Sequence, residues 1–372
     1  IPHALAGRDV LGSAKTGSGK TLAFLIPVLE LLYRKKWSHL DGLGGLIITP
    51  TRELAFQIFE ELRKVGSYHN ISAGLVIGGK SFKDEGGRIG KMNMLVATPG
   101  RLLQHINETP DFRLDNLQIL VLDEADRILD MGFSATINSI IEALPNDQSR
   151  QTLLFSATQT NSVQQLARLS LRRHLVQYIG VHENSKTATP KKLQQFYLTI
   201  DLPDKFKVLW SFMRSHLKSK IIIFFQSCKQ VRFMYETFSL LRVGTPLLEI
   251  HGKMKQMKRM AVYVSFCEKK DGVILFATDI AARGLDFPHV DWVIQADCPE
   301  DTDTYLHRVG RTARFHSAGR ALLFLQPSEM KMVDLLKERK VPIEEAKINP
   351  RRTFSITNQI ASVVSQEPNI KY

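Results

Sequence analysis

Short apolar runs alternate with stretches of helical period along the whole chain. They are "GLIITP", "AGLVIG", "NMLVATP", "QILVLDEAD" and "QTLLFSAT" in the first half, and "KIIIFFQS", "PLLEIHG", "GVILFATD", "DWVIQAD" and "ALLFLQP" in the second. That alternation predicts an α/β fold of mostly parallel sheets joined by crossover helices. Between the halves, "HENSKTATPKK" (182–192) is polar, contains a proline and has no helical or strand period, which reads as a linker. Two tandem domains are therefore expected, at 1–181 and 193–346, followed by an extension at 347–372 with weak periodicity. The halves show no exact repeat, and G-K-T occurs only in the first.

A chain of 372 residues with 44% hydrophobic content can build a core in each of two domains. Its 50 Lys and Arg against 37 Asp and Glu give a net charge of +13 and point to a polyanionic partner such as nucleic acid. A membrane surface would also attract this charge. No apolar run, however, approaches the ~18 residues of a spanning helix, and no basic amphipathic segment stands out. A soluble protein is expected. Cys228, Cys267 and Cys298 are widely spaced and odd in number, the pattern of a reducing compartment. The chain opens at Ile1 without methionine and without a leader pattern, so it reads as an excised piece.

"AKTGSGKT" (Ala14 to Thr21) nearly matches the phosphate-binding loop G-x-x-x-x-G-K-[ST], with Ala14 in place of its first glycine. Such a loop needs backbone N–H groups that converge on phosphate, a lysine for the outer phosphates and a hydroxyl for Mg²⁺. Gly17, Gly19, Lys20 and Thr21 meet these needs. The flanks fit as well: "RDVLGSA" reads as a strand and "TLAFLIPVLELLYRKK" as a helix whose N-terminus faces the phosphates, with Pro27 bending it. Ala14 is acceptable if its φ stays negative.

"QILVLDEAD" puts Asp123 and Glu124 at the C-terminal end of an apolar strand, where open parallel sheets bind ligands. An aspartate there can hold Mg²⁺ on the phosphates, and the neighbouring glutamate can orient or deprotonate water. Alone, these acids could merely open a helix. Together with the loop they point to phosphoanhydride hydrolysis. No N-K-x-D is present, so the guanine-reading element of GTPases is absent.

With these residues in place, the chain resembles the DEAD-box RNA helicase family over nearly its whole length. Further blocks carry the resemblance: "PTRELA" (Pro50 to Ala55), Gly78–Gly79, "TPGR" (Thr98 to Arg101) and "SAT" (Ser156 to Thr158) in the first half. The second half has "HGKMKQMKR" (His251 to Arg259), "ATDIAARGLD" (Ala277 to Asp286) and "HRVGRTAR" (His307 to Arg314). The family also has alanine where Ala14 stands.

The resemblance implies two RecA-like domains that bind ATP, Mg²⁺ and RNA across the cleft between them. It assigns nucleotide contacts to Ala14, Thr16, Gly17, Ser18, Gly19, Lys20 and Thr21, the Mg²⁺ shell to Thr21 and Asp123, water to Glu124 and ribose to Asp286. Arg311 and Arg314 become arginine fingers, which can stabilise transition-state charge only when the domains close. RNA contacts fall to Arg52, Gly79, Thr98, Arg101, Arg259 and Thr278, mostly toward sugar and phosphate, so readout should be largely sequence-independent. Ser156 and Thr158 resemble the coupling motif; a hydroxyl pair there could otherwise cap the next helix.

Two departures stand out. Ala313 replaces the glycine commonest in "HRxGRTGR", a small change expected to be tolerated. The adenine-reading aromatic and glutamine of the family would lie before Ile1. The resemblance implies a monomeric ATP-dependent RNA helicase that separates short duplexes, with an ATP-locked RNA clamp as the alternative and a DNA translocase less favoured. "ATDIAARGLDFPHVDWVIQADCPEDTDTYLHRVGRTARF" and "LLKERKVPIEEAKINP" look most like the nucleolar ribosome-assembly branch. That similarity implies rRNA processing in the nucleolus on pre-ribosomal or small nucleolar RNA, with protein activators in a pre-ribosomal complex.

Overall fold

The computed structural model describes residues 1–13, 19–79, 81–145, 150–156, 160–172, 174–181, 189–190, 192–279, 285, 287–313, 318–347 and 353–367. Phosphate-loop residues Ala14, Thr16, Gly17 and Ser18, the coupling residue Thr158, Asp286, Arg314 and most of the expected linker lie outside them. The chain divides into two compact units, 1–184 and 185–372.

In the first unit the strands are β1 (Asp9–Ser13), β2 (Gly45–Ile48), β3 (Ala73–Val76), β4 (Met94–Ala97), β5 (Ile119–Leu122), β6 (Gln151–Ser156) and β7 (Val176–Gly180). They form one parallel sheet in the order β3-β4-β2-β5-β6-β1-β7. Successive residues of the central strands point to opposite faces, and each face has its own apolar core. Leu46, Ile48, Leu120 and Leu122 enter one core while Ile47, Ile119 and Val121 enter the other. Double burial explains why these strands read as unbroken apolar runs.

The second unit holds β8 (Leu193–Thr199), β9 (Lys220–Phe225), β10 (Leu247–Ile250), β11 (Val273–Thr278), β12 (Trp292–Gln295), β13 (Gly319–Leu325) and β14 (Ile343–Glu345). Their parallel order, β10-β11-β9-β12-β13-β8-β14, repeats that of the first sheet strand for strand. The duplicated α/β architecture is thus present, and each expected strand forms. Strands β7, β8 and β14 were not expected. β7 and β14 are edge strands in which, Ile343 apart, the residues are exposed or half-buried, and β8 carries the polar pair Gln194 and Gln195 near its start, Gln195 being buried. None of the three gives a long apolar run.

The weakly periodic C-terminal stretch contains a helix, Thr357–Gln366. It belongs to the second unit: Ile356 is buried in that unit's core, Ile360 packs against it, and the Phe354 N–H donates to Ser211 Oγ at 2.9 Å.

Candidate active site

A parallel sheet brings the C-terminal ends of all its strands to one edge, and in the first unit the residues singled out by sequence gather there. Along the edge, β3 leads to Gly78 and Gly79, β4 to Thr98 and Arg101, and β2 to Arg52. Next to these, β5 leads to Asp123 and Glu124, β6 ends on Ser156, and β1 leads through the phosphate loop to Lys20 and Thr21. The edge therefore has two neighbouring stretches, one carrying the residues assigned to RNA and the other those assigned to ATP.

On the ATP stretch, the helix Lys20–Arg34 starts from Gly19, whose φ of +83° is a left-handed conformation that favours glycine. Lys20 Nζ is buried and has no hydrogen-bond partner among the described residues; Asp123 Oδ1 is likewise buried and unpartnered. Burial pushes the Asp123 carboxyl up to about 7, opposed by the Lys20 charge and reinforced by Glu124. A buried ammonium group and a buried carboxylate oxygen without partners are costly to keep unless a ligand completes them. Phosphate oxygens suit the lysine. Asp123 with the Thr21 hydroxyl suits Mg²⁺, a cation that takes few protein ligands and keeps water and phosphate oxygens as the others. Beside Lys20 lies a cavity of about 140 Å³ walled by Ile1, Ala4, Val10, Phe155 and Ile179.

Glu124 has a backbone the sequence did not reveal. Its φ is +49° and ψ 51°, a left-handed conformation for a non-glycine residue, and it begins the short helix Ala125–Asp130. Arg127 Nη1 donates to Glu124 Oε2 at 2.5 Å, fixing the carboxylate that a strained backbone presents at the strand end. Ser156 is fully buried. It does not cap the following helix, Asn161–Ser170, because Thr160 does so by accepting from the Val163 N–H.

On the RNA stretch, Thr51 caps the helix Arg52–Val65 and leaves Arg52 exposed at its first position. The Arg52 guanidinium lies over Gly78, where a Cβ would come within 2.8 Å of it. Two blocks far apart in sequence are therefore in contact. Gly79 is exposed with φ +91°. Thr98 is buried and precedes the helix Pro99–Glu108 without capping it by its side chain. Arg101 Nε donates to Glu85 at 2.6 Å.

In the second unit, Thr278 ends β11 and is buried with its hydroxyl unpartnered among the described residues. Arg259 lies on the helix Gln256–Glu268. Arg311 is buried, its Nε donating to the His307 carbonyl at 3.1 Å and its Nη1 to that of Leu285. Ala313 sits at φ +55°, which accounts for glycine being common there: alanine fits, in a left-handed conformation. The neighbouring Arg308, which sequence reasoning passed over, is the buried clamp of this region. It pairs with both Asp279 oxygens at 2.7 and 2.6 Å and donates to Gln295 Oε1 and the Asp297 carbonyl.

Comparison with known proteins gives the family. A DEAD/DEAH box helicase family model matches residues 1–166, and a helicase conserved C-terminal domain matches 204–316. A solved DEAD box protein from Methanococcus jannaschii is 30% identical, with a TM-score of 0.54 over 93% of this chain and 90% of its own. The chain belongs to the DEAD/DEAH box helicase family. Among DEAD-box structures, Mss116 bound to ssRNA and UDP-BeF is 28% identical and superposes with a TM-score of 0.88, covering 99% of this chain and 77% of its own. Curated relatives include the ATP-dependent RNA helicase dbp4 of Neosartorya fischeri, 60% identical over all of this chain and 45% of the relative. DBP4 of Coccidioides immitis is 58% identical over all of this chain and 46% of the relative. The chain spans about half the length of the curated DEAD-box relatives it matches.

Proposed function

We propose that this chain is the catalytic core of an ATP-dependent RNA helicase that binds RNA by its backbone and separates short duplexes. The observation that carries the reading is the pair of buried, unpartnered groups, Lys20 Nζ and Asp123 Oδ1, on the same sheet edge as Arg52, Gly79 and Thr98. Family membership and the activity named for the dbp4 relatives support it.

In this reading Lys20 and the loop residues Ala14, Thr16, Gly17, Ser18 and Gly19 bind the triphosphate, and Asp286 meets the ribose. Thr21 and Asp123 hold Mg²⁺, which supplies charge neutralisation on the phosphates. Glu124, fixed by Arg127, orients the attacking water and takes its proton. Arg311 and Arg314 stabilise the charge that develops on the transferred phosphoryl group. Arg52, Gly79, Thr98, Arg101, Arg259 and Thr278 hold RNA, while Ser156 and Thr158 couple the two events. The functional divisions are 1–181, a linker at 182–192, 193–346 and an extension at 347–372. The resemblance to the ribosome-assembly branch and the dbp4 relatives favour rRNA processing in the nucleolus, on pre-ribosomal or small nucleolar RNA, by a monomer with pre-ribosomal protein activators.

The test is separation of a short RNA duplex together with RNA-stimulated ATP hydrolysis. Strand separation that requires hydrolysable ATP, with affinity that falls steeply with salt and ignores base order, is expected. Hydrolysis unaffected by RNA would overturn the reading. Slow turnover with long RNA residence would instead mark an ATP-locked clamp.

A further inference from the structure

A carboxylate that no motif contains is built into the RNA stretch of the first unit. Glu85 lies on the helix Phe82–Ile89, which follows the Gly78–Gly79 loop, and one of its oxygens serves two residues of the helix Pro99–Glu108. Glu85 Oε2 accepts from Arg101 Nε at 2.6 Å and is 3.1 Å from His105 Nε2. The His105 Nδ1 lies 2.7 Å from Thr109 Oγ1. Because an ionised carboxylate can only accept, Nε2 carries the ring hydrogen, and in the neutral ring Nδ1 takes its hydrogen bond from Thr109.

Aromatic contacts complete the bracket. The Phe82 ring stacks on His105 with centroids 4.4 Å apart and planes 18° from parallel, and the Arg101 guanidinium lies 5.0 Å from the Phe82 centroid. The side chains are almost closed to solvent, at 11% exposure for Arg101, 10% for Glu85 and none for His105. Arg101 Nη1 also reaches Gln104 Oε1 at 3.1 Å. Held on the carboxylate at Nε and on the ring at its face, the guanidinium has little rotameric freedom left.

We propose that Glu85 is a positioning residue for RNA binding: with Phe82 and His105 it fixes the Arg101 guanidinium and ties the Gly78–Gly79 segment to the helix that begins after Thr98. The proposal rests on the reading of Arg101 as an RNA contact. Burying an arginine costs rotamer entropy and desolvation, and the bracket meets that cost before RNA arrives. It also joins the two elements that flank β3 and β4, so that Gly79, Thr98 and Arg101 present one preformed surface to a sugar-phosphate backbone.

The experiment uses the full-length protein and compares Glu85→Gln, Arg101→Ala and the double variant by RNA-stimulated ATP hydrolysis over a range of single-stranded RNA. Glu85→Gln keeps the shape and removes the charge. It should raise the RNA concentration giving half-maximal rate by roughly 10-fold, the weight of one charge-assisted hydrogen bond, while the rate at saturating RNA stays within about twofold. In the Arg101→Ala background the same change should have almost no further effect. An equal effect of Glu85→Gln in both backgrounds would overturn the positioning role. An Arg101→Ala variant that binds RNA normally would instead overturn the RNA role of Arg101. If Glu85→Gln lowers the melting temperature markedly, Glu85→Asp supplies the second case: partial recovery of RNA affinity supports positioning, and recovery of stability without affinity overturns it.

Discussion

In the first unit the fourth strand of the sheet, β5, is followed by Asp123, and the helix after the sixth strand, β1, begins with Lys20. In the second unit the fourth strand, β12, is followed closely by Asp297, and the helix after the sixth strand, β8, begins with Lys205. Asp297 stands one residue further along than Asp123, since the Ala296 N–H makes the ladder bond that the Asp123 N–H makes in the first sheet, and these neighbouring places have opposite fates. Lys205 and Asp297 form an ion pair at 16% and 10% side-chain exposure, and Asp297 also accepts from the Gln226 N–H at 3.0 Å. Lys20 Nζ and Asp123 Oδ1 stay buried without partners among the described residues. One framework thus holds the same two charges either satisfied by each other or held in reserve. The segments between strand and helix differ in sequence. A glycine-rich loop follows β1, whereas "IDLPDK", with a 3₁₀ turn at Leu202–Asp204, follows β8 and brings Lys205 onto the acid.

The lysines put this contrast to its severest trial. Lys20→Ala should reduce RNA-stimulated ATP hydrolysis by roughly 10³ or more, as expected when a group that acts on transition-state charge is lost, while thermal unfolding changes little. Lys205→Ala should do the reverse. It strands a buried Asp297 and should lower stability by about 3–5 kcal/mol, with the hydrolysis rate per folded molecule kept. Loss of hydrolysis without loss of stability in Lys205→Ala would end the contrast.

A pair of arginines divides in the same way. Arg311→Ala should leave ATP affinity within a few fold and reduce RNA-stimulated hydrolysis by about 10³. Arg308→Ala, which leaves Asp279 without its bidentate partner, should lower the melting temperature of the second unit instead. Calorimetry with the hydrolysis assay separates the two.

Asp123 gives a pH signature with a definite sign. The raised value belongs to the folded chain, so its ionisation costs stability progressively as pH climbs from the unfolded carboxyl range toward about 7. Below that window the group is neutral in both states and the cost vanishes. In nucleotide-free protein, Asp123→Asn should therefore stabilise by about 1–3 kcal/mol at pH 8 and by almost nothing near pH 4, while abolishing hydrolysis at both. A gain that is constant with pH would mean that folding does not raise the Asp123 carboxyl.

The smallest effect is expected at Ala313. Glycine accepts its φ of +55° without a Cβ penalty, so Ala313→Gly should add up to about 1 kcal/mol, reduced by the entropy glycine gains on unfolding. Chemical denaturation would resolve this, and destabilisation would show that the alanine methyl packs well enough to outweigh its backbone.

Much of this site is legible in the sequence, because its chemistry is written locally. A phosphate loop, an acid pair at a strand end and the arginines of "HRVGRTAR" are contiguous words, and parallel strands had to bring their C-terminal ends to one edge. Arg52 and Thr98 could be assigned by resemblance for the same reason. The strained Glu124 backbone, Glu85 and Arg308 carried no comparable signal. Glu85 looks like one more surface acid on a polar helix until packing brings His105 and Arg101 against it. Strands β7 and β14 were missed because edge strands need not be apolar on both faces.

Local pattern was enough to settle the α/β class and the order of eleven of the fourteen strands described along the chain. Both depend on short-range periodicity and on the double burial of central strands. Which charges are satisfied was left to the packing of the folded chain. Lys205 and Asp297 stand 92 residues apart and meet, whereas Lys20 Nζ and Asp123 Oδ1, at comparable ends of matching strands, have no hydrogen-bond partner among the described residues. Whether two charges distant in sequence pair depends on the packing that brings them together, which no local pattern encodes.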